Sequence, residues 1–216
     1  WASLRGAAVL LSEGAVTIVG NNKAVSEHGG GIFIASSSSF TATGYGTQLK
    51  IESNTAGRSG GGCYSKSGAA MLFDRGAIVV MKNNEAVSES GGGLYLADVG
   101  SRLNVSGNGT QLMIERNTAE GFGGGLSSLF GATVLFNGSA VVVVKNNKAV
   151  NVSGVGGGVY LQEAGSSLTA TGQGTQLMIE SNTAESRGGG SCAQSGATVL
   201  FNGGAVVVVK NNKAVS

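Results

Sequence analysis

Not one proline occurs in the 216 residues, where a background near 5% would place about 11. Proline removes a backbone donor, so its absence suits strands that each lie between two neighbours and need every N–H for the ladder. Charge is also scarce. Charged residues make up 12% of the chain, and 14 basic against 12 acidic residues leave a net charge of +2. That balance excludes the basic stripe of an electrostatic nucleic-acid binder and the charge-swollen character of a disordered tail. The longest aliphatic run is five residues, Ala140 to Val144, too short to span a bilayer. Two cysteines are too few for a disulfide scaffold. The first residue is Trp1, with no charged n-region or cleavage site after it. A targeting signal is therefore expected to have been removed or to lie outside this segment.

What is abundant is glycine, 39 of 216 residues, without the three-residue period or the proline of collagen. The glycines belong to a longer repeat. AsnAsnLysAlaVal stands at 21–25, 146–150 and 211–215, AsnAsnGluAlaVal at 83–87, and AsnThrAla at 54–56, 117–119 and 182–184. Aligned on one Asn, the marks are Asn22, Asn54, Asn84, Asn117, Asn147, Asn182 and Asn212, spaced by 32, 30, 33, 30, 35 and 30 residues. Triple glycines follow at 29–31, 60–62, 91–93, 123–125, 156–158 and 188–190. The unit is about 31 residues in two alternating forms, long and short, so a pair spans about 63 residues.

Within a unit the apolar period is 2, not 3.6, which indicates strands. Residues 23–54 read as GlyGlyGlyIlePheIleAla, SerPheThrAlaThr and GlnLeuLysIleGlu, separated by Gly, Asn and Ser, the residues of turns. Three short strands per unit, repeated in register, predict one coil of a parallel β-helix. A propeller blade would need four strands in 40–50 residues. The expected fold is thus all-β: a parallel β-helix (β-solenoid), right-handed by the crossover rule, forming one continuous domain over 1–216. Trp1 aligns without a gap on Leu126, and Ser216 falls just before a further triple glycine. The repeats are cut at both ends, so a segment of a longer chain is expected.

The recurring GlyGlyGly-[Ile/Leu/Val/Cys] and [Ile/Met/Val]-x-x-Asn tetrapeptides, such as Ile51-Glu52-Ser53-Asn54, Ile114-Glu115-Arg116-Asn117 and Ile179-Glu180-Ser181-Asn182, cover the whole chain. They resemble the repeats of polymorphic outer membrane proteins. The family pattern has GlyGlyAla and Phe-x-x-Asn; here Gly replaces Ala, and Ile, Met or Val replaces Phe. No membrane-barrel segment accompanies the repeats. The resemblance implies a right-handed β-helix passenger and an adhesin-like, extracellular or cell-surface location.

Stacking the units turns alternation into columns about 4.8 Å apart. In the third strand, Leu49, Val79, Leu112, Val142, Leu177 and Val207 are expected inward, as are Ile51, Met81, Ile114, Val144, Ile179 and Val209. The first strand places Ile32, Cys63, Leu94, Leu126, Val159 and Ser191 inward, and the second strand's core is read as Phe40, Phe73, Leu103, Phe136, Leu168 and Phe201. The repeated Asn is expected to bond the backbone of neighbouring coils and to accept αL geometry. The triple glycines are expected to supply φ > 0 at a corner. They lack the following helix and adjacent Lys of a phosphate loop.

Three outward columns of the third strand carry the functional reading. Glu52, Lys82, Glu115, Lys145, Glu180 and Lys210 alternate in sign, a register-setting ladder. Beside them run Gln48, Ile78, Gln111, Val141, Gln176 and Val206, and Lys50, Val80, Met113, Val143, Met178 and Val208. The apolar members, Ile78, Val80, Met113, Val141, Val143, Met178, Val206 and Val208, form a strip on the outside, a candidate assembly face. An unseen loop or helix lying over it is the other explanation.

Catalytic chemistry is not expected. Glycoside hydrolysis needs two carboxylates at a set separation. The only aspartates, Asp74 and Asp98, have no acidic neighbour in their columns. His28, the single histidine, has no Cys or acid at ligand spacing. No catalytic residue, cofactor or metal ligand is assigned. Cys63 and Cys192 fall four coils apart in different columns, too far for a bridge. Sequons begin at Asn104, Asn108, Asn137 and Asn151 and permit N-glycosylation without requiring it. The expected function is structural: an extracellular or cell-surface solenoid forming a rod, filament or adhesin stalk. Its expected partners are itself or other surface proteins, with glycans as a further option, and neither nucleic acid nor a transmembrane segment enters. The alternatives are a glycan-binding adhesin and a carbohydrate-active β-helix enzyme.

Overall fold

The structure, a computed structural model, describes residues 2–215. It is a β-solenoid of seven coils with four seven-stranded parallel sheets, in which each strand pairs with its equivalents one coil before and after. Among the described residues there is no helix. The fourth coil shows the plan: Leu94–Ala97 in the first sheet, Arg102–Ser106 in the second, Gln111–Glu115 in the third and Thr118–Ala119 in the fourth. The first three are the strands expected from alternation. The fourth is an addition: a two-residue strand is too short to show a period. Its ladder is visible only as the Ala that recurs after each marker Asn, Ala56, Ala86 and Ala119 being wholly buried.

The inward columns of the third sheet match expectation. Leu49, Val79, Leu112, Val142 and Leu177 are fully buried, as are Ile51, Met81 and Ile114. Each such side chain contributes roughly 1.5–3 kcal/mol of burial. In the last coil Val207 is partly exposed and Val209 is 54% exposed. The second sheet corrects the single core column. Register pairs Phe40 with Met71 and Leu103, but Phe73 with Ala42 and Val105. Two inward columns therefore stand where one was read, and Phe40, Leu103 and Leu168 occupy one while Phe73, Phe136 and Phe201 occupy the other. Bulk shifts between columns from long to short coils, so Phe73 sits beside Ala42 rather than beneath Phe40. Large next to small keeps the interior close-packed.

Corner chemistry explains why coils alternate. In long coils Ser38, Ser101 and Ser166 are buried, and their hydroxyls accept the N–H of Ala7, Gly68 and Gly131 from the preceding coil. Thr110 and Thr175 do the same for Gly76 and Ser139. Short coils place Ala69, Ala132, Ala77 and Ala140 there. A Ser or Thr in one coil thus satisfies the corner of its neighbour, and buried donors must be satisfied. The first corner, Gly6–Ala7, is one residue shorter than that at 130–132. As a result Ala2 enters the column of Ile32 and Leu126. Trp1 and Ser216, where the pattern is expected to be cut, lie outside the described residues.

Candidate functional site

The marker asparagines form a continuous buried hydrogen-bond chain at the corner before the fourth sheet. Asn117 Oδ1 accepts both the backbone N–H and the Nδ2 of Asn84, at 2.9 and 3.0 Å. Asn117 Nδ2 donates to the Met81 carbonyl and to Asn147 Oδ1, both at 3.0 Å. The same links join Asn22 to Asn54, Asn54 to Asn84, Asn147 to Asn182 and Asn182 to Asn212. No side-chain valence is left over for a ligand at Asn117, and the ladder is a structural spine. The αL conformation was expected at these residues and falls one position earlier, at Asn21, Ser53, Asn83, Arg116, Asn146, Ser181 and Asn211. That residue makes the turn which sends the following Asn inward.

The glycine triplets divide the labour. In 91–93 only Gly91 has positive φ, +69°. A Cβ on Gly93 would stand 2.7 Å from the Gly125 carbonyl oxygen and 2.9 Å from Asn117 Nδ2. The first glycine of the triplet turns the chain, and the third lets neighbouring backbones and the Asn spine come close.

The third sheet's outer face carries the expected columns in register. Three ladder steps are ion pairs: Lys82 Nζ and Lys145 Nζ each lie 3.5 Å from Glu115, and Lys210 Nζ lies 3.4 Å from Glu180. Glu52 shares the column, opposite Lys82. Exposed pairs of this kind contribute little each. Among the outward apolar residues Ile78, Val80, Met113, Val141, Val143 and Met178 are half-buried, while Val206 and Val208 are exposed. The strip extends into the first coil through Val16 and Ile18, 64% and 60% exposed. Among the described residues nothing lies over it.

The first sheet's outer face holds what the sequence reading missed. The residue after the first inward column is Phe33, Tyr64 and Tyr95 in three successive coils, then Ser127, then Tyr160. Tyr64 and Tyr95 stack at 4.9 Å, Phe33 and Tyr64 at 5.4 Å. The segments between the fourth sheet and each glycine triplet fold back over this column. They contribute His28, stacked on Tyr64 at 4.3 Å, and Phe122, stacked on Tyr160 at 4.8 Å. Tyr64, Tyr95 and Tyr160 are consequently buried, and burial drives the hydroxyls of Tyr64 and Tyr160 up to about 12. The signal was available, since aligned coils show the aromatic column, but its cover comes from loops of unequal length.

A polar cluster sits at the edge of this face, and it brings to His28 an acid, Glu89, that lies far from it in sequence. Glu89 receives Arg58 at 2.7 Å and the Ser59 hydroxyl at 2.6 Å, and His28 Nδ1 lies 3.9 Å from it. These residues come from three successive coils, so linear spacing could not show them together. Burial alone would raise the Glu89 carboxyl; the bonds from Ser59 and Arg58 and the Arg58 charge outweigh it and hold the group below its ordinary range. Burial holds His28 below its ordinary value, against the pull of Glu89. Its Nδ1 accepts the Ser59 N–H at 3.2 Å. Because Ser59 donates its hydroxyl to Glu89 rather than to His28, the three do not form a nucleophile–base relay. Alongside lies a cleft of about 360 Å³ lined by residues that include Glu89, Tyr95, Phe122, Asn151 and Gln162.

The remaining candidates are scattered. Asn108 is exposed at a turn, whereas Asn104, Asn137 and Asn151 are half-buried. Asn151 Oδ1 accepts the Ser153 N–H. Cys63 faces the core, where burial pushes its thiol up, and Cys192 stands in the outward column of Tyr160; both are free. Among the described residues no helix is long and apolar enough to cross a membrane. No family model matches the chain, and neither a curated protein nor a solved structure shows significant similarity to it.

Proposed function

We propose that this solenoid is a non-catalytic structural element of an extracellular or cell-surface protein, a rigid rod or adhesin stalk that packs laterally to build a filament or a coat. One observation carries the reading: the outer face of the third sheet presents uncovered apolar side chains in every coil but the second, where Gln48 and Lys50 stand instead. A strip of that extent marks an interaction surface rather than scattered exposure. The adhesin-like resemblance of the GlyGlyGly and x-x-Asn tetrapeptides supports the surface location. The test is sedimentation and electron microscopy of the wild type against Val143→Asp with Val208→Asp. Loss of association with retained β signal supports the reading, and equal association by the variant sinks it.

The cleft beside Glu89 favours a second reading, a glycan-binding adhesin. An ionised carboxylate, the amides of Asn151 and Gln162, and aromatic rings beside them suit the hydroxyls and apolar ring faces of a saccharide. A glycan array compared with Glu89→Gln separates it from a scaffold role. No binding, or binding indifferent to that change, removes this reading.

A further inference from the structure

We propose that the outer face of the third sheet pairs with a second copy of itself, solenoid axes antiparallel, with every long coil facing a short one. This rests on the lateral-packing reading above and adds the partner, orientation and register.

The argument begins with what alternates. Long coils present Gln, then Lys or Met, then Glu, as in Gln111, Met113 and Glu115; short coils present Ile or Val, then Val, then Lys, as in Val141, Val143 and Lys145. Corner chemistry fixes Ser and Thr against Ala at the coil ends. It does not dictate the outward side chains of the strand that follows, so this alternation has its own cause. Two copies can meet face to face about a two-fold axis in the plane of contact. An axis along the solenoid would lay the charge ladder on the Gln and Val column, setting Lys ammonium groups against Val. An axis along the strands keeps each column on its own counterpart and reverses the order of the coils.

Two kinds of register remain for that second axis. Centred on a coil, it sets long against long: Glu115 would meet Glu180 when Val143 meets Val143. Like charges would then face each other, which costs association. Centred between the coils of Glu115 and Lys145, it sets Glu115 against Lys145, Lys82 against Glu180 and Glu52 against Lys210. Size follows charge. Met113 meets Val143, Met178 meets Val80, and Gln111 meets Val141, a long side chain against a short one each time. This register pairs opposite charges along the ladder and long with short side chains in the other two columns; one cation, Lys50, falls on Val208 at the edge of the face, where solvent reaches it.

The size of the face sets the strength. Six facing coils at 4.8 Å spacing and five-residue strands give on the order of 450 Å² per copy. That is below the roughly 800 Å² per partner of a standard interface. Association of this segment is therefore weak and grows with the number of facing coils.

The test uses a fully inverted ladder: Glu52→Lys, Lys82→Glu, Glu115→Lys, Lys145→Glu, Glu180→Lys and Lys210→Glu in one chain. Alternation within the solenoid is kept, so the fold is expected to survive, checked by circular dichroism. In the proposed register each version pairs with itself, but a mixed pair sets Glu against Glu and Lys against Lys. Sedimentation of labelled mixtures from micromolar to millimolar concentration should show each version self-associating, with mixed association at least about tenfold weaker at low salt and the gap closing at high salt. Free mixing of the two versions overturns the register while leaving lateral packing intact. Monomers at all concentrations overturn lateral packing itself, and the register with it. Should the inverted chain fail to fold, short-linker crosslinking in a Cys63→Ala, Cys192→Ser background puts the same question. Met113→Cys crosslinked to Val143→Cys on another copy supports the pairing, and a Val143→Cys pair crosslinked to itself overturns it.

Discussion

The solenoid has two outward faces rich in apolar atoms, and it treats them differently. The first sheet presents Phe33, Tyr64, Tyr95 and Tyr160, and the chain covers them with its own return segments until the three tyrosines are buried. The third sheet presents Ile18, Val80, Met113, Val143, Met178 and Val208, and no segment among the described residues reaches it. The first face is a second core outside the coil, held by stacking and by the Glu89 cluster. The second retains its apolar surface in water, and its only ties are ion pairs along the ladder. A chain that hides one apolar face so thoroughly has the means to hide another. The bare face is the one read as a surface for a partner.

Changes on the two faces should therefore have opposite signatures, largest on the first sheet. Replacing Tyr95 with Ala empties a buried site beside Tyr64. Truncating a large aromatic in a core costs about 3–5 kcal/mol, and urea unfolding should show a loss in that range. A change under about 1 kcal/mol would mean that the covering segments are loosely held and the two faces are alike.

Glu89→Gln comes next. The neutral amide still accepts the Ser59 hydroxyl but loses its charge-assisted bonds to Arg58, and hydrogen bonds to charged groups are worth roughly 1.5–3 kcal/mol before solvent is considered. Glu89 is about a third exposed, which screens the pair, so a loss near 1 kcal/mol is expected in chemical denaturation. A gain in stability would show that the cluster is strained rather than cohesive.

On the third sheet the same kind of edit should hardly register. Val80→Thr swaps a half-exposed methyl for a hydroxyl on a strand where both residues are favoured. Unfolding free energy of the monomer should stay within about 0.5 kcal/mol, while self-association weakens. A large loss of monomer stability would mean that some part of the chain covers Val80 after all.

How much of this contrast could be read in the sequence follows from the range of the interactions. Period-2 patterning is local, so the three longer strands, the inward columns of the third sheet and its outward ladder were legible once the coils were aligned on Asn. The short fourth strand, such as Thr118–Ala119, has too few residues to alternate. Phe40 and Phe73 look equivalent in aligned coils, and only register showed them two residues apart. The His28, Ser59 and Glu89 cluster joins three coils through segments of three and four residues. Such unequal segments have no common alignment, so their side chains cannot be placed by counting.

The smallest expected effect is a pH response confined to the covered face. Burial holds His28 below its ordinary value, so the folded protein binds that proton less readily than the unfolded chain. Between the two values the unfolded state carries more protons, and stability rises with pH. The His28 contribution is thus fully present above the ordinary histidine value near 6.5 and is lost as pH falls through the lower folded value. The structural cause is specific, because protonated Nδ1 can no longer accept the Ser59 N–H. Glu89, the charged group that acts most strongly on His28, stays ionised through that window because its own value is depressed. It limits the loss by stabilising the new charge, and Arg58 and Lys66 oppose it. Hydrogen exchange at the Ser59 amide, compared with the Val80 amide as pH falls from about 7 to 5, should show lost protection at Ser59 beyond the chemical rate change and none at Val80. His28→Gln, with its Ser59 acceptor independent of pH, should abolish the difference. Equal responses at the two amides, or a response that survives the substitution, would place the pH sensitivity elsewhere in the coil.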